Sequence, residues 1–228
     1  MTPHKGIFIT GTDTGAGKTY VGTQLVAVLH DRGVNAVPRK PVESGCRRMN
    51  GELVPQDAHQ YYEAANRKFT LEAICPFRFE PAISPQRAAR LAGQSVYLDD
   101  IAAHCLQGTD RDDFLVVEGA GGFYSPLCED GRNSGLAKKL GLPVLLVAQD
   151  KLGCINHILL TIEAIHQQGL SACAVILSQQ KTQDDLKMDN REDLTALLDV
   201  PVFAISCHEL LNQANLKSHA VLQAIKSR

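Results

Sequence analysis

The stretch Gly6-Ile7-Phe8-Ile9-Thr10-Gly11-Thr12-Asp13-Thr14-Gly15-Ala16-Gly17-Lys18-Thr19 decides the fold. It opens as a short apolar, β-branched run and passes into glycine-rich polar sequence. After Thr19 the apolar residues Val21, Leu25, Val28 and Leu29 fall at i, i+4, i+7 and i+8, one face of a helix. Gly33 then supplies a C-terminal stop. Strand, glycine-rich loop and helix in this order form the context of a phosphate-binding loop. Glycines let the backbone turn its N–H groups inward, and a helix N-terminus adds positive potential. In such a loop Lys18 reaches the β- and γ-phosphates and the Thr19 hydroxyl binds Mg²⁺. One departure stands out: the usual pattern has glycine where Thr12 stands, and here the glycine is Gly11.

Working outward, similar apolar runs recur at residues 34–38, 114–117, 144–147, 174–177 and 202–205. Several are continuous rather than alternating, as in strands buried on both faces of a parallel sheet. Helical patterns lie between them, over residues 155–168, 194–198 and 216–225. Residues 56–107 are mostly helical in pattern and read as an insertion packed on the sheet. The alternation predicts an α/β fold of P-loop NTPase type: doubly wound, a mostly parallel sheet with helices on both faces. No repeat or linker interrupts it, so residues 1–228 read as one domain.

Composition bounds the function. The net charge of −2 offers no polybasic surface for nucleic acid or anionic lipid. No apolar run approaches the roughly 20 residues of a membrane span, and the N-terminal residues lack the pattern of a signal peptide. A cytoplasmic protein is expected, with no nucleic-acid partner and no membrane. The seven cysteines are an odd number without a C-x-x-C pair, which suits reduced thiols acting as small apolar fillers.

The run from Phe114 ends in Glu118. Ligands of open α/β sheets bind at the C-terminal strand ends, so this carboxylate is expected to face the phosphates and serve as an oxygen ligand for Mg²⁺. Other positions are ambiguous when taken singly. Lys40 reads as a solvated strand-end lysine, Ser44 as a turn residue, and Asp57 as the N-cap of the following helix.

Taken together these segments resemble the dethiobiotin synthetases. Gly11-Thr12-Asp13-Thr14-x-x-Gly17-Lys18-Thr19 is similar to that family's opening motif, Thr12 included. Lys40-Pro41-Val42-x-Ser44-Gly45, Asp57-Ala58, Glu118-Gly119-Ala120-Gly121-Gly122 and Lys151-Leu152-Gly153-Cys154-Ile155-Asn156-His157 resemble its later motifs, in order. The resemblance implies joining of CO₂ to 7,8-diaminononanoate at the expense of ATP, through a carbamate and a carbamic–phosphoric anhydride.

Site roles follow from the same resemblance. Thr19, Asp57 and Glu118 are expected to bind Mg²⁺, and Lys18 and Lys40 to be catalytic. Gly15, Ala16, Gly17, Lys18, Thr19 and Tyr20 are expected to bind nucleotide, with Asp57, Glu118, Gly119, Ala120 and Gly121. Thr14 and Ser44 are expected to contact the diamine or carbamate. Gly153, Cys154, Ile155 and Asn156 begin a helix whose free N–H groups suit the substrate carboxylate. A homodimer is implied, with bicarbonate or CO₂, ATP and the diamine as partners.

Two segments depart from the family. Ser178-Gln179 stands where Asn-Asp commonly grips adenine, and residues 203–206 replace a Gly-x-Ile-Pro segment. Ser178 and Gln179 are still expected to lie at the base. Two other classes stay open. One is a nucleotide switch of the partitioning type, which usually carries an extra lysine where Asp13 and Thr14 stand. The other is a different amide-forming P-loop ligase.

Overall fold

The computed structural model describes residues 4–179, 188–206 and Gln223. The expected helix at residues 216–225 lies outside them apart from Gln223, as does Cys207. The chain opens with β1 (Lys5–Gly11), α1 (Lys18–Asp31), β2 (Ala36–Arg39) and β3 (Val42–Ser44). A hairpin of β4 (Arg47–Met49) and β5 (Glu52–Val54) follows. Then come α2 (Gln56–Ala64), α3 (Leu71–Ile74), β6 (Phe77–Phe79), α4 (Pro85–Leu91) and α5 (Leu98–Leu106). The second half runs β7 (Phe114–Gly122), α6 (Asn133–Leu140), β8 (Val144–Gln149), α7 (Cys154–Gln167), β9 (Ala172–Gln179), α8 (Asn190–Leu197) and β10 (Val202–Ser206).

Six strands form one parallel sheet in the order β10-β9-β8-β1-β7-β2. The continuous apolar runs are explained by what covers them. Phe8, Leu115, Val117, Leu146 and Val175 pack with α4, α5, α6, α7 and α8 on one face. Ile7, Ile9, Val116, Leu145, Val147 and Ile176 pack with α1, α2 and α3 on the other. Alternate residues of one strand therefore enter two different cores, which is why the runs are continuously apolar. The apolar face of α1 is buried as its spacing predicts, with Val21, Leu25, Val28 and Leu29 all at most 2% exposed.

Residues 56–107 form four helices, and they also contain β6, which pairs in parallel with β3 outside the main sheet. Strands of three residues carry too little periodicity to be read. The β4–β5 hairpin did leave a signal. Asn50 and Gly51 both have positive φ, 52° and 87°, as a two-residue Asn-Gly turn requires.

The strand order positions the site. From β1 in the centre the chain moves outward to β2 at the edge, then inserts β7 between them, and only afterwards builds β8, β9 and β10 on the other side. The C-terminal ends of β1, β7 and β2 thus lie side by side at the switch of winding direction, where α/β sheets open a crevice.

Candidate active site

The loop after β1 is held by close backbone approach. Thr12 N–H donates to the Val147 carbonyl at 3.1 Å, and Thr14 N–H to Asp13 Oδ1 at 2.7 Å. The glycine displaced to position 11 has a steric reason: a Cβ there would lie 2.8 Å from the Asp13 carbonyl and 3.2 Å from Lys18 Nζ. Gly17, at φ 96°, caps α1. A side chain on it would strike the Ser178 hydroxyl at 2.6 Å. No side chain caps α1 and no acidic residue stands in its first turn, so its N-terminal N–H groups keep their pull on an anion.

Lys18, Thr19, Lys40, Asp57 and Glu118 meet over this loop. Glu118, 1% exposed, accepts from the Thr19 hydroxyl at 3.0 Å and from Lys40 Nζ at 2.5 Å, both through Oε1. Lys40 Nζ also pairs with Asp57 Oδ2 at 2.8 Å. Burial alone would lower the pKa of Lys40, but the Glu118 and Asp57 carboxylates outweigh it and hold the ammonium well above the ordinary lysine value. Burial dominates at Lys18 and lowers its pKa, with Lys40 adding to the effect against the pull of Glu118. Its Nζ donates to the Asp13 carbonyl at 3.1 Å. For Asp57, burial opposes ionisation, yet Lys40 and the Thr19 hydroxyl lower the carboxyl below its usual range.

Three further residues build the site, and no local pattern announced them. Glu43 on β3 accepts from the Asp57 and Ala58 backbone N–H groups, each at 3.0 Å. It does the work of a cap for α2, whose own N-cap is Pro55; Asp57 lies inside the first turn rather than at the N-cap. Burial and then Asp57 raise the Glu43 pKa, with Lys40 and the two N–H donors opposing. Tyr61 on α2 donates from its hydroxyl to Glu118 Oε2 at 2.8 Å. Asn133, fully buried at the start of α6, pins the turn after Glu118. It donates to the carbonyls of Ala120 and Gly122 at 2.7 and 2.9 Å and accepts from Ala120 N–H at 3.0 Å.

A cavity of about 610 Å³ holds most of the expected residues: Thr14, Gly15, Gly17, Lys18, Thr19, Tyr20, Lys40, Ser44, Asp57, Glu118, Ala120 and Gly121 line it. Ala16 and Gly119 underlie the same loops without lining it. Gly153, Cys154, Ile155 and Asn156 form the first turn of α7 and do not line it either. Ser178 packs on the phosphate loop at Gly17, while Gln179 turns to Asp150, donating to its carboxylate at 3.2 Å. A second depression of about 630 Å³ lies beyond the Gly122–Ser125 turn against α7; Glu163 lines it, but Lys18, Lys40, Asp57 and Glu118 do not. Size does not choose between them; the charged groups do.

Among the described residues no group of three or more His, Cys, Asp and Glu is placed to hold a metal. Mg²⁺ does not need one, since it commonly takes one or two carboxylates with phosphate and water. The Thr19 hydroxyl, Asp57 and Glu118 are a hard-oxygen set that fits it. The six described cysteines are buried and none is in a disulfide. No described helix is long and apolar enough to cross a membrane.

This fold and this loop define a P-loop nucleotide-binding protein. The description "AAA domain" belongs to the family model that matches residues 5–209. Solved structures of the same fold include the septum site-determining protein MinD with Mg-ADP from Pyrococcus horikoshii. It has a TM-score of 0.58 and 14% identity, covering 98% of this chain and 95% of that one. The cell division ATPase MinD of Pyrococcus furiosus is similar, with a TM-score of 0.55 at 15% identity over 97% of each chain. Sequence relatives narrow the class. The ATP-dependent dethiobiotin synthetase BioD of Anaeromyxobacter dehalogenans is 42% identical over 181 residues, 79% of each chain. That of Halalkalibacterium halodurans is 33% identical over 222 residues, 94% of this chain and 91% of its own. The chain belongs to the dethiobiotin synthetase family.

Proposed function

We propose that this chain is an ATP- and Mg²⁺-dependent dethiobiotin synthetase, its single domain closing the cyclic urea of dethiobiotin from 7,8-diaminononanoate, CO₂ and ATP. One observation carries the reading beyond family membership. Lys18, Lys40, Thr19, Asp57 and Glu118 converge in one cavity at the ends of β1, β2 and β7. That is the equipment for neutralising a transferring phosphoryl group.

One amine of the substrate attacks CO₂ and gives a carbamate, releasing a proton. A carbamate oxygen attacks the γ-phosphorus of ATP, and ADP departs. The second amine then attacks the resulting anhydride carbon and expels phosphate. Positioning and charge neutralisation suffice for these steps, without a covalent enzyme nucleophile. The backbone of Gly15, Ala16 and Gly17 holds the phosphates, and Lys18 leaves the Asp13 carbonyl to meet them. Lys40, kept cationic by its two carboxylates, offsets charge on the carbamate and the transferring group. Thr19, Asp57 and Glu118 would hold Mg²⁺, which when bound supplies further neutralisation of phosphate charge. Thr14 and Ser44 face the same cavity and suit the diamine end. The first turn of α7 is assigned to the substrate carboxylate. That turn does not line the cavity; the family resemblance implies a homodimer with the turn near the subunit boundary, and the reading includes it.

Incubation with the diamine, bicarbonate, Mg²⁺ and ATP should yield a cyclic urea by mass spectrometry. Folded protein that makes none would sink the proposal. A nucleotide switch stays as the alternative reading. Its phosphate release would ignore diamine and bicarbonate, whereas a synthetase requires both.

A further inference from the structure

Helix α2 contributes more than Asp57 to the site. One turn on, at i+4 and therefore on the same face, stands Tyr61, fully buried. Its hydroxyl donates to Glu118 Oε2 at 2.8 Å, while Thr19 and Lys40 both address Oε1. The two oxygens of one carboxylate are thus divided between a buried phenol and the groups that face the cavity.

Tyr61 reaches Glu118 across α1, and it does so at Gly22. A Cβ on Gly22 would overlap the Tyr61 hydroxyl outright and lie 2.7 Å from Cζ and 3.0 Å from Ile9 Cδ1. Gly22 sits in the interior of a 14-residue helix and does not have positive φ. A glycine there costs helix stability and is not required by backbone conformation. The missing side chain is accounted for by the space the tyrosine occupies.

We infer that Tyr61 is a positioning residue for Glu118, and that Gly22 is the opening through which it acts. Held by the phenol, the carboxylate keeps one oxygen turned toward the cavity. A Glu118 without this restraint can rotate and give both oxygens to Lys40. The inference rests on the proposed role of Glu118 as a Mg²⁺ ligand. The competing view makes Tyr61 a core side chain whose hydroxyl merely takes the nearest acceptor.

The deciding measurement is calorimetric affinity for the β,γ-methylene analogue of ATP, with Mg²⁺ and with EDTA, in the full chain. Tyr61→Phe is expected to weaken Mg²⁺-supported binding about five- to tenfold, the scale of one ordinary hydrogen bond lost, and to change metal-free binding by less than about twofold. Gly22→Ala, which displaces the phenol from the other side, should give the same Mg²⁺-specific loss. The double variant should be no weaker than Gly22→Ala alone, because both changes act through one hydrogen bond. Glu118→Gln separates the two levels of the claim. If it keeps full Mg²⁺ dependence, the metal role fails and the positioning role with it. If it loses that dependence while Tyr61→Phe keeps it, the positioning role alone is wrong. An equal loss in Mg²⁺ and in EDTA also overturns it, since general loosening is what a core filler gives. Should Gly22→Ala not fold, Tyr61→Phe decides the matter by itself.

Discussion

Two parts of the sheet's C-terminal edge are built differently. At the ends of β1, β7 and β2, charged side chains interlock: buried Lys40 sits between buried Glu118 and half-buried Asp57, and Glu118 is held on its other oxygen by Tyr61. At the ends of β8 and β9 and the start of α7 the candidate groups are more open. Leu152 is 89% exposed, Asn156 is exposed, and the exposed Gln179 donates from its side chain to Asp150. Charges in a dry, fixed frame act strongly on a developing transition-state charge, whereas exposed groups are screened and reorganise. Chemistry should therefore break at the centre of the edge, and selectivity should shift mildly at the flank.

The largest effect is expected at the lysines. Lys18→Ala and Lys40→Ala should each leave a folded protein and lower kcat on the order of 100-fold or more, because the lost charge is useful mainly in the transition state. Near-normal kcat in either variant would remove that residue from the mechanism. The two lysines also differ in pH response. Lys40 is raised above the ordinary value of 10.5 and stays charged, while Lys18 is lowered by burial. The alkaline limb of kcat/KM for ATP should therefore fall with a pKa below 10.5 and report Lys18. A limb at or above that value assigns it elsewhere.

Next come the carboxylates. Asp57→Asn and Glu118→Gln keep shape and remove a hard anionic ligand, so each should raise the Mg²⁺ concentration for half-maximal rate by roughly tenfold. Both changes also unpair the buried Lys40 ammonium, so the metal titration must be read beside a melting curve. An unchanged titration with a lowered melting temperature would make the carboxylates structural.

How far the sequence carried the argument differs between the same two parts. The phosphate loop was legible because its glycines, lysine and threonine are contiguous, and the flanking strand and helix are strongly periodic. Lys40 and Glu118 were legible as strand ends, and family motifs supplied their expected roles, but not the ion pair between them. Glu43, Tyr61 and Asn133 were not. Tyr61 and Glu118 are 57 positions apart, and only the folded arrangement of α1, α2 and β7 makes them neighbours. Gly22 could have been questioned as a glycine inside a helix, but nothing local names the side chain it admits. At the flank, motif matching named Gly153, Cys154, Ile155 and Asn156, yet the cavity that holds the lysines does not extend to them.

A smaller effect tests that flank. If the first turn of α7 receives the substrate carboxylate, the methyl ester of the diamine should bind roughly tenfold more weakly than the free acid, the scale of a charge-assisted hydrogen bond lost. The turn has Gly153 at φ 87° and no side-chain cap; Cys154 N–H is taken by the Lys151 carbonyl at 3.0 Å, so a ligand would draw on the other N–H groups of the first turn. Equal affinities place the carboxylate elsewhere and reduce this segment to a helix start.

The smallest effect concerns the nucleobase. In the proposed reading, triphosphate affinity comes from backbone N–H groups and Lys18, which would meet phosphates and not bases. Adenine offers an N6–H₂ donor and an N7 acceptor, which one amide side chain can pair at once. Ser178 is committed to close packing on the phosphate loop, where its hydroxyl lies 2.6 Å from where a Gly17 Cβ would be. Gln179 spends one amide N–H on Asp150, and the same carboxylate accepts from Asn190 at 2.7 Å. Gln179 keeps one N–H and its carbonyl oxygen for adenine, but must offer them from a side chain tied to Asp150. A hydroxyl that can donate or accept rejects neither adenine nor guanine, and strong rejection requires a buried polar group left unpaired by the wrong base. Values of kcat/KM for ATP, GTP and CTP should therefore agree within about tenfold, or about 1.4 kcal/mol. A preference for ATP beyond roughly 100-fold would show an adenine pocket as rigid as the phosphate site, and the contrast between centre and flank would not hold.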